Sequence, residues 1–296
     1  MTTSAADYEL SFPTNRASKS EIPVIISRLD CLKHDTQNRY DRMLENLTIH
    51  PLKDIPLIKA GDNLAAVIVE ALSKAGLEAV QGDVLVLAQK IVSKAENRQV
   101  KLNDVVPSAP AIRLGREIGK DARLVELILR ESQGIVRQAP GVIIVRHRLG
   151  FVSANAGIDQ SNIEHQDGES ALLLPLDPDL SAQRLRSAIE ESSGRRMGVI
   201  ISDSMNRPWR LGTIGSAIGS AGITVLDDRR GQHDLFGRKL KVTMINRADS
   251  IATAAMLVMG ETTECIPAAV VRGLPPEDSE QRAADCIRPT SEDLFL

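Results

Sequence analysis

The 296-residue sequence predicts a mixed α/β protein. Short apolar runs such as Val84–Ala88 are typical of strands that are buried on both faces. Segments with helical spacing of apolar residues, such as 181–193, alternate with these runs along the chain. Because 43% of the residues are hydrophobic but only 2% are aromatic, the core must consist mainly of Leu, Ile, Val and Ala.

The elements can be placed in order from their apolar patterns and from Asp, Gly and Ser at their ends. The predicted strands are residues 47–49, 84–88, 142–145, 198–201, 241–246 and 266–272. The predicted helices are residues 64–72 with Asp62 as the cap and Gly76 at the end, 124–136, 181–193 ending at Gly194, and 250–259 with Asp249 as the cap and Gly260 at the end. Three regions follow: an N-terminal extension at 1–45, predicted to be partly disordered, a folded domain at 46–276, and a tail at 277–296.

Composition and charge exclude several classes of protein. The net charge is −3 with both signs mixed along the chain, so we expect no nucleic-acid partner. No run of 18 apolar residues is present, so we expect no membrane span. Cys31, Cys265 and Cys286 lie far apart without metal-ligand spacing, which favours a reducing, cytoplasmic location.

The segment after the apolar run 198–201 carries the most chemistry. Asp203 and Ser204 end the run, and Arg207, Trp209 and Arg210 follow at once. An acid delivered by the end of a buried strand is a common way to hold a divalent metal, and arginines beside it suit a phosphate or carboxylate. Arg207 and Arg210 are therefore candidate catalytic residues. The alternative is a strand, a polar turn and a close-packed helix over the glycine-rich segment 212–219.

Two further segments support a metal and an anionic ligand. Asp159, followed by Ser161 and Asn162, offers the oxygen atoms that Mg²⁺ and Mn²⁺ prefer, although an Asx turn or a helix cap would use the same residues. Lys90 and Lys94, four residues apart, follow the strand Val84–Ala88, although a solvated helical face would look the same. There is no Gly-x4-Gly-Lys-Ser/Thr or Gly-x-Gly-x-x-Gly motif, so any nucleotide must be held in another way.

These motifs resemble the coenzyme F420-0:L-glutamate ligase family over roughly residues 46–274. The matching groups, in order, are 82–86 with 93–96, 154–159 with Ser161 and Asn162, Asp203 with Arg207, 259–261, and 271–274. The resemblance implies the F420 ligase-like α/β fold of mixed sheets and helices in an intertwined homodimer. It also implies that GTP activates a carboxylate of the F420 precursor as an acyl phosphate, which the amine of L-glutamate attacks.

The resemblance also implies roles for individual residues. Mg²⁺ or Mn²⁺ would be held by Asp159, Asp203, Ser204 and Glu261, and K⁺ is a further candidate ion. GTP would contact two groups of positions: Ile55, Pro56, Leu57 and Ile58, acting through backbone groups, and Gln89, Lys90, Lys94, Asn162, Met259, Gly260 and Ile266. Without the resemblance, Glu261 would be interpreted as a solvated loop acid.

The sequence departs from the family pattern in places. Met205 and Asn206 replace a small residue and a glycine, and Thr262 and Thr263 replace a loop with Gly or an acid. Two alternatives therefore stay open: a GTP-binding paralogue without catalysis, or a ligase with another carboxylate acceptor. The ending 288–295 resembles the linker before the nitroreductase-like domain of two-domain bacterial members, and we expect no such domain here.

Overall fold

The structure is a computed structural model that describes residues 46–165 and 168–294, so the predicted N-terminal extension lies outside the described residues. Its centre is a five-stranded sheet with the order β1-β12-β2-β8-β9. The strands are β1 (Thr48–Leu52), β2 (Val84–Ala88), β8 (Gly198–Asn206), β9 (Thr213–Ala221) and β12 (Ala268–Arg272). Only β2 and β8 run parallel; the other neighbours are antiparallel.

Helices cover both faces of this central sheet. Successive residues of β2 point to opposite faces: Leu85 and Leu87 pack in one apolar cluster, and Val84 and Val86 pack in another. The first cluster includes α1 (Leu64–Lys74) and α5 (Pro178–Ser193), and the second includes α6 (Arg247–Met259). An apolar residue at every position of the strand is what a sheet with two covered faces requires.

A second lobe packs around its own apolar cluster. It contains the helices α3 (Ala109–Ile118) and α4 (Ala122–Arg130) and the antiparallel sheet β4 (Ser132–Ala139), β5 (Val142–His147) and β6 (Val152–Ala154). The short strands β3 (Gln99–Lys101) and β7 (Ser170–Leu172) pair with each other, as do β10 (Leu226–Asp228) and β11 (Met244–Asn246). The helix α2 (Gln89–Ala95) follows β2 directly.

The predicted helix 124–136 is wrong in its second half. The helix α4 ends at Arg130, and β4 begins at Ser132. Gly134 disfavours a helix, and the β-branched Ile135 and Val136 favour the strand that pairs with β5. The helical spacing of apolar residues continues by chance into β4. This segment pairs instead with β5, where Val145 is the partner of Ile135.

Two predicted helix caps are also wrong by one to three residues. Asn63 rather than Asp62 caps α1, accepting from the Ala66 N–H at 3.1 Å, and Asp62 accepts from the Lys59 N–H instead. Asn246 rather than Asp249 caps α6, accepting from the N–H of Asp249 at 3.0 Å. Asp and Asn are about equally favourable at helix N-termini. Which of two nearby residues becomes the cap therefore depends on tertiary contacts.

Several predicted boundaries shift. The strand predicted at 241–246 is only Met244–Asn246, and the strand predicted at 266–272 begins at Ala268, after Cys265 with its left-handed φ of 56°. The helix predicted at 181–193 begins at Pro178 with Asp177 as its cap. The strands predicted at 47–49 and 142–145 extend to Leu52 and His147.

The glycine-rich segment after Asp203 is a strand, not a helix. β9 pairs with β8 along its whole length, and Asp203 lies opposite Ser216. The sequence suggested that Asp203 lies at the end of a strand. In the structure it lies inside β8. Glycine is required in β9 because a Cβ at Gly215 would lie 2.6 Å from the backbone of Ala252 in α6.

Among the described residues, no helix is long and apolar enough to cross a membrane.

A buried carboxylate, Glu131, links the end of α4 to the segment after α2 and to the end of β5. It accepts from Arg98 at 3.0 Å and from Arg148 at 2.8 Å. The Nε2 atom of His147 lies 3.6 Å away, and the ring stacks on Phe151. Burial raises the pKa of Glu131, but the His147 ring and the two guanidinium groups lower it more, to about 2. His147 is thus a buried part of this cluster.

We expect Glu131→Gln to destabilise the protein at neutral pH but to have less effect in acid. The folded-state pKa is depressed, so the stabilisation is fully present above the unfolded pKa of about 4.3 and is lost as pH falls toward about 2. At pH 7 the loss in unfolding free energy is on the order of 2–3 kcal/mol. Urea unfolding of the wild type and of Glu131→Gln, from pH 7 to pH 3, measures this loss in unfolding free energy. Glu191→Gln, at an exposed position on α5, is the control; a difference independent of pH would contradict the expectation.

Candidate active site

Two polar segments meet where the parallel pair of strands ends. β2 ends at Ala88, whose register partner on β8 is Ser202. One residue further on, β2 has turned into α2 at Gln89, and β8 continues to Asp203. The carboxyl ends of parallel strands are where α/β proteins commonly place their ligands. The fold therefore brings residues of both predicted segments to one edge.

The Asp159 side chain is the hub of the site. Its Oδ2 atom accepts from Gln89 Nε2 at 2.8 Å and pairs with Lys90 Nζ at 2.7 Å. The buried Ser93 hydroxyl donates to Gln89 Oε1 at 2.8 Å, which fixes the orientation of the amide. Backbone bonds to Leu172 hold Asp159 in place. Asp159 is therefore not a helix cap, and Lys90 and Lys94 are both half-buried rather than part of a solvated helical face.

Asp203 is buried beside Asp159. Its carboxylate accepts from the Ser204 backbone N–H at 2.9 Å, and the Gly157 backbone approaches so closely that a Cβ there would lie 3.4 Å from Oδ2. Burial raises the pKa of Asp203 to about 7, and Asp159 acts in the same direction, as does Glu261 more weakly. The positive charge of Lys90 acts in the opposite direction. Asp203 is thus a carboxylate that lacks a cation of its own.

Two of the positions predicted to contact a nucleotide, Lys94 and Asn162, are linked by hydrogen bonds to each other and to Thr262. Lys94 Nζ donates to the Asn162 carbonyl at 2.8 Å, and Asn162 Nδ2 donates to the Thr262 carbonyl at 3.2 Å. Burial, and then the nearby charge of Lys90, lower the pKa of Lys94. The loop after Asp159, the helix α2 with its two lysines and the loop after α6 are therefore linked to one another next to the acid pair.

The other positions predicted to contact a nucleotide differ in their burial and location. The segment 55–58 lies near the end of α2, since the Gly61 N–H donates to the Ala95 carbonyl at 2.9 Å. In this segment Ile58 is buried in the core, whereas Pro56 and Leu57 are exposed. Met259 and Ile266 pack in the apolar cluster beneath the sheet, and Gly260 turns the chain between α6 and the following loop with a φ of 72°.

The predicted metal ligands are brought together in part. Asp159 and Asp203 face one another, whereas Glu261 lies exposed on the loop after α6. Ser204 follows Asp203 in β8, so its hydroxyl points to the opposite face of the strand. No cluster of three or more His, Cys, Asp or Glu side chains suited to a metal ion occurs within residues 46–165 and 168–294. The buried Asp203 and the half-buried Asp159 still fit Mg²⁺, which usually takes one or two carboxylates and completes its shell with water and phosphate.

The two predicted catalytic arginines have different environments. Arg207 Nη2 donates to the hydroxyl of Ser216, the residue opposite Asp203, and pairs with Asp249 at 3.3 Å. Arg210 is exposed, and only its backbone N–H makes a bond, to the Arg207 carbonyl. Trp209 is 89% exposed with a φ of 65°, so it does not pack against either arginine. Arg207 borders the acid pair, and Arg210 does not.

Several site residues could not be found from the sequence. Ser93 lies four residues after Gln89, which is the spacing of neighbours on a helix, and this is the one available signal. Thr262, Ser216 and Asp249 join the site through contacts between distant segments that no local pattern reveals.

The protein that carries these two neighbouring acids beside lysines belongs to a class of enzymes, the ligases. Residues 53–273 match the family model described as F420-0:Gamma-glutamyl ligase, and the chain is a member of that family. The coenzyme F420:L-glutamate ligase of Methanothermobacter thermautotrophicus is 43% identical over 246 residues, which are 82% of this chain and 96% of the relative. The ligase of the same name from Methanopyrus kandleri is 44% identical over 256 residues, which are 85% and 98%.

The two acids differ in what they contribute to stability without ligands. Asp159→Asn leaves Lys90 without its partner, so we expect the melting temperature to fall by a few degrees, equivalent to about 1–2 kcal/mol. Asp203→Asn removes a buried charge that Asp159 repels, so we expect no loss or a gain. Thermal unfolding in a metal chelator measures both variants. A large loss in Asp203→Asn would make that residue a structural one.

Proposed function

We propose that the protein joins L-glutamate to coenzyme F420-0 in a GTP-dependent reaction, forming a γ-glutamyl amide in F420 biosynthesis. The observation that carries the proposal is the pair of the buried Asp203 and the half-buried Asp159, with Lys90 bound to Asp159 and Lys94 one turn further along α2. Membership of the F420 ligase family supports the substrates. The free thiols of Cys265 and Cys286 suit the cytoplasmic location that we propose.

The proposed chemistry proceeds in two steps. An oxygen of the acceptor carboxylate attacks the γ-phosphorus of GTP, the bond to the bridging oxygen breaks, and GDP leaves with its electron pair. The amine of L-glutamate then attacks the acyl carbon of the acyl phosphate, the bond to the phosphate oxygen breaks, and the nitrogen loses one proton. The products are an amide, GDP and phosphate, so atoms and charge balance.

The residues of the site suit these steps. Asp159 and Asp203 would hold the divalent ion, Mg²⁺ or Mn²⁺, which supplies neutralisation of the charge on the transferred phosphoryl group. Lys90 and Lys94 add positive charge on the same side, with the Asn162 and Thr262 loops around the phosphate groups. The Asp159–Lys90 ion pair keeps the acid in place before substrates bind.

Incubation with F420-0, GTP, Mg²⁺ or Mn²⁺ and L-glutamate is expected to give GDP and a product heavier by one glutamyl residue. Mass spectrometry detects the product, and a coupled assay detects GDP. GTP binding without GDP release in any mixture would favour a non-catalytic paralogue. GDP formed only with another carboxylic acid would favour a different acceptor.

The variant Asp203→Asn tests the role of this acid, because the Asn side chain is nearly isosteric with that of Asp. It removes a charged ligand at the phosphoryl group, so kcat/KM is expected to fall at least about a hundredfold while the fold is retained. Near-wild-type activity of this variant would remove Asp203 from the mechanism.

We also propose that two copies form a homodimer. Several large apolar side chains lie exposed in the turn after β8 and in the β10–β11 ribbon: Trp209, Leu211, Leu235, Phe236 and Val242. Each is at least 85% exposed, and apolar groups of this size are normally covered in solution. The family resemblance implies an intertwined dimer, and these projecting segments suit such an exchange.

The dimer predicts a particle of twice the 32.1 kDa chain mass by light scattering. Phe236→Glu places a charge in the proposed interface and is expected to shift the particle toward the monomer. Val106→Glu, which changes an equally apolar, 81% exposed position in the second lobe, serves as the control. A wild-type monomer at micromolar concentration would contradict the proposal.

A further inference from the structure

A cavity of about 270 Å³ borders β8 and its neighbour β9, whereas the lysines follow β2, the neighbour of β8 on its other side. Its walls come from β8, β9, the start of α5, the turn before β6 and the C-terminal segment. Met205, Phe151 and Ile218 supply apolar surface, and Arg207, Arg288 and Asp249 supply charge. None of the positions predicted to bind GTP lines it.

The cavity adjoins the acid pair. Met205 is two residues beyond Asp203 on the same face of β8, and Ser216 is the cross-strand partner of Asp203. Residues directly opposite in an antiparallel pair have Cβ atoms about 4.5–5.5 Å apart. A small ligand in this cavity would therefore reach the atoms held at Asp203.

The charge of the lining is mixed. It has three arginines and four aspartates: Arg146, Arg207 and Arg288 with Asp177, Asp179, Asp249 and Asp293. A polyanion such as a nucleoside triphosphate is disfavoured by four acids, whereas a ligand that carries both an ammonium and carboxylates matches both signs. A volume just below the usual range of about 300–1,000 Å³ for drug-sized ligands suits an amino acid rather than a coenzyme precursor.

Two cations of the lining have donors to spare. Arg288 makes no hydrogen bond or ion pair in the described part of the chain, unlike Arg146, which pairs with Asp293 at 3.5 Å. Arg207 bonds Ser216 and Asp249 through Nη2. The acids are already bound from the protein side: Asp179 accepts from the N–H groups of Ser220 and Ala283, and Asp249 from that of Ala217.

We propose that this cavity is the L-glutamate site, with Arg288 and the free edge of Arg207 binding its two carboxylates and the acidic wall facing its amino group. The assignment rests on the proposed function for the identity of the amino acid. It places the amino acid and the nucleotide on opposite sides of Asp203. The amine can then approach an acyl group at Asp203 from the side away from the leaving phosphate.

Steady-state kinetics of Arg288→Gln tests the assignment. Because charge-assisted hydrogen bonds are lost, the KM for L-glutamate is expected to rise at least about tenfold, while the KM for GTP and for F420-0 stays within about twofold. Arg288→Lys is expected to recover part of the effect. Arg113→Gln, at an exposed arginine on α3, is the control and is expected to behave like wild type.

A binding measurement separates this proposal from the ligase function. Calorimetric titration of L-glutamate into the wild-type protein, alone and with GDP, is expected to show binding that Arg288→Gln weakens. No binding in either titration, or an unchanged KM for L-glutamate in Arg288→Gln, would overturn the cavity assignment. A raised KM for F420-0 instead would assign the cavity to the acceptor. Absence of any glutamylated product would overturn the ligase function, and the calorimetric result would still decide the cavity.

Discussion

The burial of Asp203 is the constraint on which the site depends. Beyond Ser202 the strand β8 loses its parallel neighbour β2 but keeps its antiparallel neighbour β9, so the chain stays extended and carries the acid into the interior. A buried carboxylate without a cation is costly, and proteins meet that cost with a partner or a raised pKa. Here the pKa of Asp203 is raised to about 7, and Lys90 is already engaged by Asp159. This is the position that we propose for the divalent cation.

The connections around Asp203 come from distant parts of the chain. Gln89 and Lys90 from α2 hold Asp159, Asn162 donates to the Thr262 carbonyl, and the C-terminal segment walls the cavity. The site is therefore assembled from loops that are positioned by helices and strands, as is common for functional sites. The proposed nucleotide side and the cavity side both adjoin β8, the strand that carries Asp203.

The sequence predicted the class of fold and the core strands because continuous apolar runs such as Val84–Ala88 have few other interpretations. It failed where two local solutions compete. Residues 131–136 follow a helix in pattern, yet Glu131 is fixed by Arg98 and Arg148, and the chain leaves as a strand. The glycines of 212–219 carried no sign of strand pairing. Glycine is needed there because a helix packs closely against the strand, which no local pattern reveals.

The same distinction holds for the site. Asp159 and Lys90 could be selected from residue type and spacing, and the structure brings them together at 2.7 Å. The hydroxyl of Ser204 could be selected in the same way, but strand alternation turns it to the opposite face from Asp203. Arg288 carries no sequence signal at all, since its place in the cavity wall depends on the path of the whole C-terminal segment.

The glycines of β9 also set the mechanical character of the site. Gly215 rests against the backbone of α6, and a Cβ at Gly219 would lie 2.3 Å from the Pro178 carbonyl oxygen at the start of α5. The hairpin is thus clamped from both faces by main-chain atoms, which cannot yield by changing rotamer. The depth of Asp203 is fixed by backbone against backbone, so the side chains lining the surrounding cavity can vary without moving the acid.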